Sequence, residues 1–391
     1  MTQEFESYLL PTYARQSVSF VEGKNAILVD SHGKEYIDFA SGIAVCSVGH
    51  SNERLNKAIC DQISKVTHVS NLFAIEPQEQ CAQKIVALSN YSMKCFFGNS
   101  GAEANEGAIK IARKFGEVNG SPKRYKIITL EHSFHGRTIT ALKATGQESM
   151  HNYFGPFPDG FVYAKNIDEI ESLLDEHTVA VMIELVQGEG GVQPLDRAKV
   201  QSLSALLKSR NILLMVDEVQ TGIYRTGEFL ASNLYGIEPD VITLAKGLGG
   251  GVPIGVVMTN RVNIFAPGDH GSTFGGNYLS CAAANEVLDI LEEIKVTGEL
   301  DETLIYFEAS LENFAQHHRA IFQEHVGFGL MRGLRVVDAD TLASIINHAR
   351  DEGVIVLKAG RNTLRFLPAL TITKADIDEG FARLEKAMGN L

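Results

Sequence analysis

The chain has 391 residues, of which 45% are hydrophobic and 21% are charged. This composition is typical of a globular enzyme and excludes a disordered or fibrous chain, and the length predicts two domains or one large domain with an appended unit. The formal net charge of −13 disfavours nucleic acids and acidic lipid surfaces as partners, because both are anionic. An anionic substrate would therefore depend on a few local arginines.

We expect that the first residues of the sequence do not form an export signal. The opening stretch, MTQEFESYLLPTYARQ, contains acidic residues and no apolar core segment, unlike a secretory signal, and no run reaches the roughly 20 apolar residues of a membrane-spanning helix. The five cysteines form an odd set without a C-x-x-C pair, which is typical of reduced structural thiols. We therefore expect a cytoplasmic protein.

The middle of the chain alternates short apolar strands with helical patterns. The predicted elements are, in chain order, a strand at 94–97, a helix at 100–115, a strand at 125–130, a helix within 166–177, a strand at 179–185, a helix at 197–209, and strands at 212–217 and 240–245. Nearly continuous apolar strands between helices indicate a mostly parallel sheet that is covered on both faces.

The last hundred residues have a different pattern and predict a smaller α+β unit. The pattern predicts helices at 282–295, 342–350 and 374–388 and strands within GLRVV, VIVLK and TLRFL. The opening fifty residues are rich in strands and turns, and we expect them to pack with this tail. The predicted division is an N-terminal segment at 1–60 that packs with the small domain, a large domain at 61–280 and a C-terminal small domain at 281–391.

Unusual polar or glycine-rich turns follow five of the predicted strands. In chain order they are GNSGAEAN, EHSFHGRT, ELVQGEGG, DEVQTG and AKGLGGG. Because open parallel sheets bind ligands at the carboxyl ends of their strands, these turns predict one shared site.

The first turn leads into a helix whose start could bind an anion. Ser100 and Glu103 have the spacing of a capping box, and glycines at a helix start let free N–H groups approach an anion. An ordinary capped helix would give the same pattern. GNSGA also resembles the nucleophile elbow of a serine hydrolase, except that Ala102 stands in place of the closing glycine; a hydrolase using Ser100 is therefore the alternative from another class.

Asp217 and Lys246 each end a buried strand. A carboxylate in that position needs a cationic partner or a metal, although no phosphate loop supports a magnesium nucleotide site, and a helix N-cap aspartate is the simpler alternative. A lysine in a crevice loses proton affinity and becomes nucleophilic, whereas a lysine at a loop start is more often a surface residue. Together, a lysine able to form a Schiff base and an aspartate able to hold a pyridinium are what pyridoxal phosphate requires of its protein.

The turn HSFHGRT has two histidines, but His132 and His135 lack further ligands at metal-binding spacing, and we expect no metal. Phe134 and Arg137 suit ring stacking and carboxylate binding better.

The segments GNSGAEANE, HSFHGRT, QGEGGVQP, VDEVQTGIYRTGEF, GIEPDVITLAKGLGGGVPIG and GSTFGGN resemble the class III pyridoxal-phosphate aminotransferases. The resemblance runs from about Tyr13 to the carboxyl terminus. It implies the aspartate-aminotransferase-like fold type I, an α/β fold with a large cofactor-binding domain, and a homodimer.

The resemblance also implies a role for each matching residue. Lys246 is implied to carry pyridoxal 5'-phosphate and to move the proton between the substrate carbon and the cofactor. The other implied cofactor contacts are Gly101 and Ala102 with the phosphate, Phe134 with the ring face, Asp217 with the ring nitrogen, Gln220 near the ring hydroxyl, and Thr273 with the phosphate of the other subunit. The implied substrate contacts are Arg137 with the α-carboxylate, Ser272, and Glu189 as a switch that masks Arg365. Tyr224, in GIYRTG, departs from the commoner family pattern, and we expect it near the edge of the cofactor.

The implied reaction is a ping-pong transfer of the terminal amine of N2-acetyl-L-ornithine to 2-oxoglutarate, a step of arginine biosynthesis. If the carboxylate of Glu189 can move away from Arg365, one pocket can accept both this donor and 2-oxoglutarate, whose second carboxylate then binds Arg365. Ornithine, N-succinylornithine, N-succinyl-diaminopimelate and 4-aminobutyrate are the alternative donors within the same chemistry.

Overall fold

The computed structural model describes residues 8–118, 122–389 and 391. Its strands are β1 (Phe20–Lys24), β2 (Ile27–Asp30), β3 (Glu35–Asp38), β4 (Lys94–Gly98), β5 (Lys126–Leu130), β6 (Phe161–Ala164), β7 (Thr178–Ile183), β8 (Val186–Gln187), β9 (Gln193–Pro194), β10 (Leu213–Asp217), β11 (Val241–Leu244), β12 (Gly255–Thr259), β13 (Phe322–Phe328), β14 (Met331–Val336), β15 (Val354–Ile355), β16 (Leu357–Ala359) and β17 (Thr363–Phe366). Its helices are α1 (Ser41–Ala44), α2 (Glu53–Ile63), α3 (Glu76–Ser89), α4 (Gly101–Val118), α5 (Ile139–Ala144), α6 (Ile170–Leu173), α7 (Arg197–Ser209), α8 (Ala231–Tyr235), α9 (Tyr278–Val296), α10 (Glu299–His317), α11 (Ala339–Asp351) and α12 (Lys374–Met388).

A seven-stranded sheet forms the centre of the fold. Its order is β4-β12-β11-β10-β7-β5-β6, and every neighbouring pair is parallel except the two pairs that β12 makes. All residues of β7 and β10 are buried, because apolar clusters cover both faces of these central strands. The predicted α/β fold with a mostly parallel sheet is confirmed.

The opening strands pair with the tail of the chain. The order β1-β2-β3-β15 forms one small sheet, in which Val354 pairs in parallel with Ile37. A second small sheet has the order β13-β14-β17-β16. Phe39, which follows β3, packs against the rings of Phe307 and Phe381 from α10 and α12, with ring centroids 5.5 Å apart in each pair. The two ends of the chain therefore share one apolar core.

Several elements differ from their prediction. The helix expected within 166–177 is reduced to a 3₁₀ turn at Ile167–Glu169 and the single turn α6. The side chain of Asp175 accepts hydrogen bonds from His177 N and Thr178 Oγ1 at 3.0 Å, which stabilises a turn in place of further helix. The apolar run VIVLK is divided between β15 and β16, which belong to different sheets. The predicted segment 1–60 begins with residues 1–7, which lie outside the described residues.

Within the described parts of the chain, no helix is both long enough and apolar enough to cross a membrane.

Candidate active site

A cavity of about 430 Å³ lies at the carboxyl ends of the central strands. Each of the five predicted turns contributes to its lining, through residues 99–102, 134–137, 184 and 189, 217 and 219–220, and 245–246. The turns therefore meet at one cavity, as their positions at the strand ends predict.

The start of α4 presents backbone donors to this cavity. Ser100 Oγ accepts a hydrogen bond from Glu103 N at 3.2 Å, whereas the carboxylate of Glu103 accepts from Asn99 N, one residue earlier than a capping box requires. Gly101 and Ala102 line the cavity, and the first N–H groups of a helix have no acceptor within the helix. A Cβ atom at Gly101 would lie 2.7 Å from Val219 Cγ1. Only glycine fits this close approach, and the helix start is suited to binding an anion.

Lys246 follows β11 and lines the same cavity. Its backbone has a φ of 43°, in the left-handed region that costs energy for a residue with a side chain. The described residues offer its Nζ atom neither a hydrogen bond nor an ion pair within bonding distance. Burial lowers the pKa of Lys246, since a low dielectric disfavours the charged amine. The side chain is therefore suited to act as a nucleophile, and none of the described residues holds its amine in a hydrogen bond or an ion pair.

Asp217, at the end of β10, is held by donors on three sides. Its Oδ2 atom lies 2.8 Å from both Asn105 Nδ2 and His135 Nδ1, and its Oδ1 atom accepts from Val219 N at 3.0 Å. Burial by itself lowers the pKa of His135, but the hydrogen bond and charge of Asp217 raise it overall. The carboxylate is thus fixed in orientation at the floor of the cavity.

The sequence analysis assigned no function to Asn105 or His135. Asn105 could have been predicted from its position, because it is a polar residue on the buried face of α4, beside Ala104 and Ala108. For His135 the signal was its place in a turn at a strand end.

Glu184 was also missed, although it ends an apolar strand in the same way as Asp217. Its Oε2 atom accepts from Phe134 N at 2.9 Å, and its Oε1 atom accepts from Gly188 N at 3.3 Å. Burial raises the pKa of Glu184 to about 7. The side chain ties together two of the turns that line the cavity.

Glu189 and Arg365 form an ion pair at the cavity. Glu189 Oε1 lies 2.6 Å from Arg365 Nη1, and the Arg365 side chain is only 3% exposed. Gln220 Oε1 lies 3.4 Å from the same nitrogen. Burial by itself raises the pKa of Glu189, but the charge of Arg365 lowers it overall. A buried arginine is thus neutralised by a carboxylate that borders the cavity.

Phe134 and Arg137 lie together on another part of the lining. The guanidinium carbon of Arg137 lies 5.6 Å from the centroid of the Phe134 ring. Arg137 is exposed and forms no ion pair with the described residues, so it remains available to an anion.

Ser272 and Thr273 line a different cavity, of about 350 Å³, which shares Asn99 with the first. Ser272 Oγ accepts from Asn99 Nδ2 at 3.2 Å and from Gly275 N at 3.0 Å, while Thr273 is exposed. Within one chain, neither residue lies on the cavity of Lys246.

The prediction for Tyr224 is wrong. Its ring belongs to the hydrophobic core and packs against Phe229 with centroids 5.4 Å apart, because burial of a large ring is favourable. The hydrolase alternative also lacks support: Ser100 Oγ bonds to its own helix, and no histidine of the described chain bonds to it. His132 lines another cavity, and the described residues contain no group of three or more side chains suited to a metal ion.

The residues of the main cavity fit a group that combines an aldehyde, a ring nitrogen and a phosphate. The amine of Lys246 is complementary to the aldehyde, and the fixed carboxylate of Asp217 is complementary to the ring nitrogen. The helix start at Gly101 is complementary to the phosphate. The fold and the site therefore define an enzyme that uses pyridoxal phosphate.

The comparisons with known proteins assign the family. The sequence pattern of the family described as Aminotransferase class-III matches residues 11–388. An acetylornithine aminotransferase from Wolinella succinogenes is 62% identical over 384 residues, which cover 98% of both chains. The ornithine aminotransferase of Toxoplasma gondii ME49 superimposes with a TM-score of 0.91 at 32% identity, covering 98% of this chain and 93% of that one. The N-acetylornithine aminotransferase of Stenotrophomonas maltophilia K279a superimposes with a TM-score of 0.83 at 34% identity, covering 97% of each chain.

The chain belongs to the class III aminotransferases, and its cofactor is pyridoxal 5'-phosphate. The recognition of this family from its motifs is confirmed.

Proposed function

We propose that the protein transfers the terminal amine of N2-acetyl-L-ornithine to 2-oxoglutarate, giving N-acetyl-L-glutamate 5-semialdehyde and L-glutamate. The high identity to the acetylornithine aminotransferase of W. succinogenes over the whole chain supports this donor. The reaction would place the protein in arginine biosynthesis.

The observation that carries the proposal is the ion pair between Glu189 and Arg365 at the cavity. The enzyme must accept both a donor with one free carboxylate and 2-oxoglutarate, which has two. Arg137 is free to bind the carboxylate that the two substrates share. When Glu189 turns away, Arg365 can bind the second carboxylate of 2-oxoglutarate; when it returns, the buried cation is neutralised for acetylornithine.

The other residues of the cavity would hold and serve the cofactor. When bound, pyridoxal phosphate withdraws electrons from the substrate carbon that carries the amine and so makes its proton acidic. Asp217, fixed by Asn105 and His135, would pair with the ring nitrogen, while Phe134 would lie on the ring face. Lys246, with a pKa lowered by burial, is suited to take the proton from that carbon and return it. The helix start at Gly101 and Ala102 would bind the phosphate, and Gln220 would contact the ring hydroxyl.

The experiment that tests the donor is a comparison of initial rates with 2-oxoglutarate as acceptor. The donors are acetylornithine, ornithine, N-succinylornithine, N-succinyl-diaminopimelate and 4-aminobutyrate. We expect the highest kcat/KM for acetylornithine. A kcat/KM about tenfold higher for ornithine or 4-aminobutyrate, or about 1.4 kcal/mol in transition-state preference, would contradict the proposal.

We further propose a homodimer in which Ser272 contacts the substrate and Thr273 the cofactor phosphate of the partner subunit. Both lie away from the Lys246 cavity of their own chain. Asn71 Nδ2 donates to Ser272 O at 3.1 Å, so the segments that carry Leu72, Phe73 and Phe274 are joined there. These three side chains are 88%, 69% and 60% exposed. Contiguous exposed apolar side chains are typical of a surface that another subunit covers.

A mixture of two inactive variants tests this arrangement. Lys246→Ala removes the amine, and Thr273→Asp places a carboxylate where the phosphate would bind. If Thr273 serves the partner, each hybrid dimer has one intact site, and an equal mixture refolded together recovers about a quarter of the wild-type activity. No recovery in dimers shown to be mixed would mean that Thr273 serves its own chain.

The division into a segment at 1–60, a large domain at 61–280 and a small domain at 281–391 remains our proposal, as does the cytoplasmic location. The pairing of β3 with β15 supports the first. The location is tested by fractionating cells that produce the protein.

A further inference from the structure

The hairpin that carries Glu189 has a strained backbone. Strands β8 and β9 pair antiparallel, and residues 188–192 form the turn between them, which we call the switch turn. Val192 N donates to Gly188 O at 3.2 Å, which closes the turn, and Val192 is a β-branched residue with a φ of 52°. Such a conformation costs energy and persists only where the surroundings fix it. The contacts of the switch turn therefore decide where the Glu189 carboxylate points.

The backbone of the switch turn is held from two sides. On one side, a Cβ atom at Gly190 would lie 2.7 Å from His132 O, so the two backbones are in close contact. On the other side, Gly360 N donates to Glu189 O at 2.9 Å, and a Cβ atom at Gly360 would lie 2.9 Å from that oxygen. Movement of the Glu189 carboxylate away from Arg365 is therefore a rotation of the side chain on a fixed backbone.

Arg335, on β14, joins the switch turn to the strand that carries Arg365. Its side chain is buried, with 9% exposed. Its Nη1 atom donates to Gly191 O in the turn and to Thr363 Oγ1 on β17, and its Nη2 atom donates to Gln193 Oε1 on β9 at 2.8 Å. Arg335 lies opposite Thr363 in the pairing of β14 with β17. One guanidinium therefore sets the spacing between the backbones of the two partners of the ion pair at the cavity.

The remaining partner of Arg335 is weak. Glu324 Oε2 lies 3.5 Å from Arg335 Nε, and the Glu324 side chain is 62% exposed, so solvent screens this ion pair. Arginine suits the contacts with the turn, because its planar group presents several donors in fixed directions. The strongest contacts of Arg335 are therefore those that hold the hairpin of Glu189.

We propose that Arg335 is a positioning residue that sets the donor specificity of the enzyme through Glu189. Arg335 is not one of the described residues that line the main cavity. By holding the switch turn against β17, it keeps the Glu189 carboxylate within bonding distance of Arg365 while acetylornithine is bound. The inference rests on the switch role proposed above for Glu189.

Loss of Arg335 should affect the two donors differently. Without its guanidinium, the switch turn can shift away from β17, and the ion pair between Glu189 and Arg365 weakens. Acetylornithine then leaves a buried cation that is only partly neutralised. Glutamate is not affected in this way, because its own carboxylate pairs with Arg365. The specificity should therefore shift towards glutamate.

The test compares Arg335→Met with a matched control on the same strand, Arg332→Met. Arg332 is also buried, and it donates to Gly329 O at 2.9 Å and to Gly327 O at 3.0 Å, which lie outside the switch turn. Both variants therefore remove a buried arginine and its bonds to backbone carbonyls, but only Arg335→Met releases the hairpin of Glu189.

The readout is the ratio of kcat/KM for glutamate to that for acetylornithine in the half-reactions of the holoenzyme. We expect Arg335→Met to raise this ratio about fivefold, the effect of losing about one net hydrogen bond, while Arg332→Met leaves the ratio unchanged even if its melting temperature falls. In Glu189→Ala, where Arg335 has no carboxylate left to position, the addition of Arg335→Met should change the ratio no further.

Arg335→Lys gives the same test if Arg335→Met does not fold, because lysine retains the charge but lacks the planar group that contacts three acceptors at once; the ratio should again rise. An unchanged ratio in the folded Arg335 variant, an equal rise in Arg332→Met, or an equal rise with Glu189→Ala already present would overturn the inference. An unchanged ratio in Glu189→Ala alone is a separate result, because it refutes the proposed switch itself and the inference with it.

Discussion

Glu189→Ala is the substitution that most directly tests how the cavity accepts two kinds of substrate. In the variant, Arg365 has no carboxylate partner whenever acetylornithine binds, so a buried cation is left without compensation. Glutamate suffers no such loss, because the α-carboxylate on its reacting carbon, which has no counterpart in acetylornithine, pairs with Arg365 and no longer has to displace Glu189. We therefore expect the specificity to shift towards glutamate.

The size of the shift follows from the geometry of the pair. A hydrogen bond to a charged group contributes about 1.5–3 kcal/mol. Because the Glu189 side chain is 32% exposed, solvent weakens the interaction and the lower value applies. About 1.5 kcal/mol corresponds to a change of about tenfold in the ratio of kcat/KM for glutamate to that for acetylornithine.

The assay is the half-reaction of each donor with the holoenzyme, followed in single turnovers through the absorbance of the cofactor. Glu189→Gln is the matched control, since it retains an acceptor for Arg365 but loses the charge, and an intermediate ratio is expected. Equal losses for both donors in Glu189→Ala, or a shift towards acetylornithine, would refute the role of Glu189 as a switch.

Three further predictions concern the site and the core. Lys246→Ala is expected to abolish turnover while leaving the melting temperature of the protein nearly unchanged, and borohydride reduction of the holoenzyme should label residue 246 and no other. Burial raises the pKa of Glu184 from 4.5 to about 7, so between these two pH values the folded state binds more protons than the unfolded state. The free energy of unfolding should therefore fall as the pH rises through this window, by up to about 1.4 kcal/mol per pH unit. In Glu184→Gln, the melting temperature should depend less on pH between pH 5 and 7.5. A methyl group at position 380 would overlap the ring of Phe39, so Gly380→Ala should lower the free energy of unfolding by about 1–3 kcal/mol; an unchanged urea midpoint would contradict the packing of α12.

Local patterns in the sequence determined where the chemistry lies. The bounds predicted for α7 and α12 match the structure, and the strands that end at Asp217 and near Lys246 were recognised as short apolar runs. Such runs can be recognised from the local sequence, because a strand that is buried on both faces needs consecutive apolar residues. Since parallel strands place their carboxyl ends at one edge, the sequence also predicted that their turns would meet.

Tertiary structure decided which side chains line the cavity at that edge of the sheet. The antiparallel strand β12 inserts between β4 and β11, a choice that depends on long-range pairing and not on the composition of the strand. His135 bonds to Asp217 across 82 residues of sequence, whereas Tyr224 turns into the core. Whether a polar or aromatic side chain at a turn faces ligand or core depends on the packing around it, and the local pattern is the same in both cases.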